Sequence, residues 1–467
     1  MPAVLAVLCA FTIAADITVA KLLPARMALW RLPSIAASRL VPPAQVLDPA
    51  TGHPSAAGGV TPAGLSRALA PVMRSPTFGP SLGVLVTSLT SNQVLYASNA
   101  STAFTPGSTN KLATAAAALK VLGPAARIDT RVVSGAGNGS IVLVGGGDPT
   151  LAAGPPPAID YPQPATLAEL ASRTATALRA HGEHSVKLGY DTSLYVGPGF
   201  ASGWTPGYVS SGDVTVITPL EVDQGRVTTA GTPVDATMGG ARSASPAQDA
   251  AAAFARYLAA DGISVTGSPA QVTAPPHAAT VARVQSPPLD QIVQWMLEQS
   301  NNVIAENMAR QVAIATGKPA SFTGAATAVT DVLHRLGVTG ELQLFDGSGL
   351  SSVDKIAPMA LVQLLRLGAT DPSLRSMLTG LPVEGFSGTL APGGSAFGPA
   401  GNDALGMVRA KTGNLKQVAS LAGIAYAKNG QLLAFAVMAD KIPMNGLGPA
   451  ATEMVGLANV LAGCGCP

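Results

Sequence analysis

The chain has 467 residues, of which 47% are hydrophobic and 12% charged, and its 28 Lys and Arg nearly balance 26 Asp and Glu for a net charge of +2. Such an apolar composition excludes a disordered chain, and the length exceeds one ordinary core, so two or more domains are expected. With no basic run, nucleic-acid binding is not expected; with five scattered His, and Cys only at positions 9, 464 and 466, neither is a metal site or other cofactor.

Pro2 to Ala15 is an uncharged apolar stretch of signal-peptide length, and with Asp16 and Lys21 as blemishes it extends to Leu23. A signal peptide or signal anchor is expected over 1–30, with a buried helix as the alternative, then a Pro/Ala-rich linker over 31–64. Helical spacing marks 65–76, and β-rich runs at 82–89 and 93–98 flank a turn and predict a hairpin. A helix is predicted from Ser108 to about 121, stopped by Gly123-Pro124.

Between 128 and 284 short strand-like pieces, among them "DVTVITPLEV" (213–222), alternate with two helices at 166–182 and 246–262, which reads as a separate α+β unit. Helices return at 289–317, with a break near Ser300, and at 323–337 and 358–369. Three apolar strands follow, the last two joined by Asn429-Gly430, a two-residue hairpin signal, and a helix over 449–463 closes the chain. One domain over 65–127 and 285–467, interrupted by an insertion over 128–284, is the plainest topology. The terminal Cys464 and Cys466 could form a disulfide in an oxidising compartment or remain exposed thiols.

Chemistry first suggests itself in "STNK" at 108–111. A serine hydroxyl needs a base, and a lysine three residues on lies one helical turn away on the same face. To act as a base that lysine must be neutral, which the apolar "LATAAAAL" around it favours by desolvation. The competing reading makes Ser108 a helix cap and Lys111 a solvated first-turn residue. A second S-x-x-K at Ser352–Lys355 is discounted because Asp354 should keep that lysine protonated, and "GPSLG" (79–83) lacks the strand–turn–helix context of a nucleophile elbow.

Read in order, "STNK" (108–111), "SNN" (300–302) and "KTG" (411–413) form the S-x-x-K, S-x-N, K-T-G set of penicillin-binding proteins and serine β-lactamases. With "GGGDPTL" (145–151), "YDTSLYVGPG" (190–199), "SNNVIAENMAR" (300–310), "DGSGLSS" (346–352) and the long interval between the first two motifs, the chain resembles the class C low-molecular-mass penicillin-binding proteins over roughly 65–463. These are the D-alanyl-D-alanine carboxypeptidases/endopeptidases of peptidase family S13. The chain departs from the family after "DGSGLS", where Ser352-Val353-Asp354-Lys355 stands, so that segment is given no binding role, and Asn414 stands where Ser or Thr is more usual.

The resemblance implies an α+β fold of penicillin-binding protein type, an antiparallel sheet packed with helices and interrupted by an inserted α+β domain. It implies a serine D-Ala-D-Ala carboxypeptidase acting on peptidoglycan stem peptides, with possible D,D-endopeptidase action and covalent inhibition by β-lactams. Ser108 is then the nucleophile, Lys111 its base, Ser300 a proton relay, Asn302 a holder of substrate and lysine, and Lys411 a positive charge that depresses Lys111. Thr412 binds the terminal carboxylate, Gly413 lets the peptide lie along the strand, and the amides of Ser108 and Asn414 form an oxyanion hole. Asp191 and Tyr195 match a segment that meets the substrate's diamino-acid amine, against the plainer reading of a turn aspartate beside a core tyrosine. A β-lactamase, or a non-catalytic wall-binding or sensing protein of the same fold, is the alternative. An exported enzyme of the cell envelope or periplasm, touching membrane only through its N-terminus, is expected.

Overall fold

The computed structural model describes residues 59–155, 161–201, 203–227, 240–394, 397 and 401–467. The expected leader and most of the expected linker lie outside these residues. Helix α1 (Pro62–Met73) leads into β1 (Leu82–Ser88) and β2 (Val94–Ser98), the predicted hairpin, and a 3-10 turn at Gly107–Asn110 opens into α2 (Lys111–Leu122). Then come β3 (Asp129–Ser134), β4 (Ser140–Val144), α3 (Leu167–Ala180), β5 (Ser185–Asp191), α4 (Pro246–Ala260), the two-residue β6 (Ser264–Val265) and β7 (Ala270–Gln271), and β8 (Thr280–Gln285). Helices α5 (Leu289–Glu298), α6 (Asn302–Ala315) and α7 (Phe322–Arg335) are followed by β9 (Leu342–Gln343), β10 (Lys355–Ile356), α8 (Pro358–Thr370) and the single turn α9 (Ser376–Thr379). The chain ends with β11 (Val408–Leu415), β12 (Val418–Tyr426), β13 (Leu432–Ala439) and α10 (Leu447–Gly463).

The first sheet is antiparallel in the order β11-β12-β13-β1-β2, so the two ends of the chain build it together. Both its faces are covered, which is why β12 and β13 read as unbroken apolar runs rather than as alternation. Val84, Val86, Leu433, Phe435 and Val437 pack with α1 and α10, while Leu85, Ala434, Ala436 and Met438 pack with the helices on the other face. Helix α2 is buried at every position from Lys111 to Leu119, so its Ala-rich stretch is a core helix and not an amphipathic one. Gly123, at φ +85°, ends it where the sequence places the stop.

Residues 129–285 form a second, mixed sheet, β6-β5-β4-β3-β8, with β7 beside β5 and its own apolar cluster under α3 and α4. β4 and β5 are parallel, and α3 supplies the crossover that parallel neighbours require. The strand expected over 213–222 is instead a loop. Pro219 has no N–H to give, and the segment's backbone is satisfied piecemeal: Ile217 N–H donates to Gly199 O and Pro219 O accepts from Gly147 N–H. At the C-terminus Cys464 and Cys466 are joined as a disulfide. Among the described residues no helix is long and apolar enough to cross a membrane.

Candidate active site

Two breaks in regular structure and one edge strand meet at Ser108. The first is the 3-10 turn that carries it into α2, so Ser108 sits inside a helical turn instead of capping one. The second is the turn between α5 and α6, where Ser300 takes the left-handed conformation, φ +55°, and Asn301 caps α6 by accepting from Ile304 N–H at 3.0 Å. The third is β11, the edge strand of the first sheet, with Lys411, Thr412 and Gly413 at its centre. Strand and Ser108 turn touch backbone to backbone: a Cβ on Gly413 would lie 2.4 Å from Pro106 O and 2.9 Å from Thr109 N. Close approach of the Ser108 turn thus already demands a glycine there, before any substrate is considered.

Lys111 is fully buried, and its Nζ lies 2.8 Å from Ser108 Oγ, 2.6 Å from Asn302 Oδ1 and 2.9 Å from Ser348 O. Burial lowers its pKa from 10.5 to about 7, against the opposing pull of Asp346 and Glu306. Lys411 is buried too, its Nζ 2.9 Å from Thr412 O, and it is held well below an ordinary lysine by burial and then by the charge of Lys111. The like-charge effect expected on Lys111 therefore falls on Lys411, and it is desolvation that dominates at Lys111. Ser300 is half-buried, and its hydroxyl makes no direct hydrogen bond to Ser108 or Lys111 among the described residues. Thr412 Oγ1 lies 2.7 Å from Thr389 Oγ1, so its hydroxyl is oriented from the loop before β11.

The segment "DGSGLSS", which the resemblance includes, lies directly against the site. Glu306 accepts from Gly347 N–H and Ser348 N–H, the latter at 2.8 Å, and Asp346 accepts from Gly349 N–H at 2.6 Å and Ser351 N–H at 2.7 Å. Gly349 is at φ +82°, and a Cβ there would lie 1.9 Å from Gly107 O. Asp354 does not hold Lys355. It is buried beside Asp346, with its carboxyl raised to about 10 by burial and then by that neighbour, while Lys355 pairs with Asp440 at 2.8 Å. The reason is one of direction: Asp354 turns inward to accept from Phe345 N–H, and Lys355 points toward the end of β13. A Glu and an Arg one turn apart in "SNNVIAENMAR" are the sequence signal for this layer, on a helix that is buried from Val303 to Ala313.

Asp191 and Tyr195 are held by the protein itself. The Asp191 carboxylate accepts from Ser193 N–H and Ala274 N–H, both at 2.7 Å, and the Tyr195 hydroxyl donates to Asn307 Oδ1 at 2.8 Å while its ring lies under the Arg310 guanidinium.

A family model matches this chain over residues 65–239 and 233–460, that of the D-Ala-D-Ala carboxypeptidase 3 (S13) family. The chain belongs to that family. It is 37% identical over 412 residues to carboxypeptidase Rv3627c of Mycobacterium tuberculosis, covering 86% of this chain and 85% of that one. It is 36% identical over 445 residues to carboxypeptidase DacB of Mycolicibacterium smegmatis, covering 92% and 91%. In fold it is similar to the crystal structure of penicillin-binding protein 4 of Haemophilus influenzae, with a TM-score of 0.65 at 21% identity over 86% of this chain and 98% of the other. As an S13 chain it is a serine-type D-Ala-D-Ala carboxypeptidase, with the α+β fold expected of the penicillin-binding proteins.

Proposed function

We propose that Ser108 is the acylated nucleophile and Lys111 its base, in an exported enzyme that cleaves the D-Ala–D-Ala bond of peptidoglycan stem peptides. The observation that carries this is the set of three partners around the Lys111 amine. A neutral amine has two N–H groups and one lone pair. Asn302 Oδ1 and Ser348 O can only accept, so they take the two N–H groups and leave the lone pair for the hydrogen of Ser108 Oγ. The base is thus aimed at the nucleophile before substrate arrives, and burial keeps it neutral in useful amount near neutral pH.

In this reading the lone pair of Lys111 takes the Ser108 proton as Oγ adds to the penultimate D-Ala carbonyl. The amides of Ser108 and Asn414 stabilise the oxyanion, at about 3 kcal/mol per donor. Ser300 passes a proton to the leaving D-Ala amine, and water then releases the acyl group. Lys411 and Thr412 receive the terminal carboxylate, whose charge offsets the burial that depresses Lys411. Pro382 and Glu384 bond to the outer edge of β11 at Ala410 and Val408, and past that pairing a peptide would lie alongside Thr412 and Asn414. Cleavage of cross-links uses the same acyl-enzyme, and β-lactams acylate the same serine. Separate sheets and apolar clusters support the division into 65–127 with 285–467 and an insertion over 128–284. Against a β-lactamase, the buried acids Glu306 and Asp346 are already engaged by backbone N–H groups, and Asp354 holds a proton at neutral pH.

Incubation with a fluorescent penicillin should leave a long-lived adduct on the peptide containing Ser108, and a pentapeptide stem should release D-Ala. Labelling that persists in Ser108→Ala would overturn the assignment.

A further inference from the structure

The loop over 203–224 belongs to the inserted segment, yet it bonds to the parts that hold Lys111. The indole N–H of Trp204 donates to Asp346 Oδ2 at 2.8 Å, and Asp346 in turn gathers the N–H groups of Gly349 and Ser351. The Trp204 ring packs edge-on to Phe322 at 5.2 Å, and the Arg310 guanidinium lies 4.0 Å from the centre of the Phe322 ring. Arg310 pairs with Glu306, which holds Gly347 and Ser348 by their N–H groups. Both routes from Trp204 end on the backbone that presents the Ser348 carbonyl to Lys111.

Farther along the same loop, the Asp213 carbonyl accepts from Asn302 Nδ2 at 2.9 Å. A carbonyl can only accept, so this bond fixes which end of the Asn302 amide faces Lys111, namely Oδ1. Gln224 Oε1 accepts from Asn301 Nδ2 at 2.8 Å and steadies the same turn.

We propose that this loop of the inserted segment is a positioning device for the base, with Trp204 seating the Ser348 carbonyl and the Asp213 carbonyl fixing the Asn302 amide, so that together they direct the Lys111 lone pair at Ser108. This rests on the assignment of Lys111 as base. Trp204 touches neither Lys111 nor Ser108 in this arrangement, and acts only through Asp346 and Phe322. The charged and titratable groups facing Lys111 are Glu306 on α6, Asp346 with its protonated neighbour Asp354 in the 346–354 segment, and Lys411 on β11. Loosening the loop over 346–351 admits water beside Nζ and relieves the desolvation that keeps the amine neutral.

The test is the pH dependence of penicillin acylation in Trp204→Phe, which keeps a ring against Phe322 but removes the N–H. Acylation at neutral pH should fall on the order of tenfold, as for one lost hydrogen bond to a charged group, and the acid limb of the profile should move to higher pH. A folded variant whose limb stays where the wild type has it overturns the proposal, whether its rate is unchanged or uniformly lower. Should Trp204→Phe fail to fold, benzothienylalanine placed at position 204, which matches the indole in shape without an N–H, is judged by the same shift. A wild type that forms no adduct on Ser108, or shows no acid limb, instead counts against Lys111 as the base.

Discussion

The pH profile of the wild-type enzyme is the sharpest consequence of the buried amine. The Lys111 pKa falls from 10.5 to about 7, and at about 1.36 kcal/mol per pH unit this is a bias of ~5 kcal/mol toward the neutral form. At pH 7 roughly half the amines can accept a proton, against a few in ten thousand for a lysine in water, a gain on the order of 1,000-fold in competent base. Below the pKa the rate constant for acylation, measured by stopped flow with a chromogenic penicillin, should fall about tenfold per pH unit, and above it should level off. The same burial has a stability cost of opposite sign. Between about 7 and 10.5 the unfolded chain binds more protons than the native one, so stability rises with pH across that window. An acylation rate that stays flat down to pH 5, or rises only above pH 9, would refute Lys111 as a neutral base.

Three further outcomes are expected. Gly413→Ala puts a Cβ 2.4 Å from Pro106 O and 2.9 Å from Thr109 N, so β11 must move off the Ser108 turn; penicillin acylation should drop by about 100-fold or more, and unfolding should show a loss of about 1–3 kcal/mol from the overpacking. Glu306→Gln removes the ion-pair partner of the buried Arg310, which should cost about 3 kcal/mol or more in denaturant unfolding. Asp191→Asn leaves one oxygen where two backbone N–H groups were served, so unfolding should show a loss of about 1–3 kcal/mol while penicillin acylation stays within about twofold of wild type. A variant of normal stability that turns over a stem peptide more slowly would instead support the reading of Asp191 as a substrate-binding residue.

How much of this was legible without coordinates differs by element. The hairpin β1–β2, the stop at Gly123 and the break at Ser300 carry local signals, and each lies where the chain chemistry puts it; Asn429-Gly430 does lie in the β12–β13 hairpin, but in a three-residue turn closed by Ala427 and Gln431 and not in a two-residue one. The loop over 213–222 was misread as a strand, because its alternating apolar residues are buried in loop contacts and not in a ladder. In the site, Ser108 and Lys111 were visible because a helical turn brings residues three apart together, whatever surrounds them. Asp346 and Glu306 lie in quoted segments, but their roles were not visible, since those depend on which backbone N–H groups the fold turns toward them.

The sequence by itself determined the proximity of Ser108 and Lys111, the order of the three motifs and the apolar strands of the sheet, because helix spacing and hydrophobic runs are properties of neighbours along the chain. Tertiary structure alone decided that Lys111 lies in a dry pocket with two fixed acceptors, that Gly413 is needed by the turn at Pro106, and that residues near 204 and 213 reach the site. Desolvation and hydrogen-bond direction belong to the packed interior, where segments up to a few hundred residues apart in sequence meet, and no local pattern encodes them.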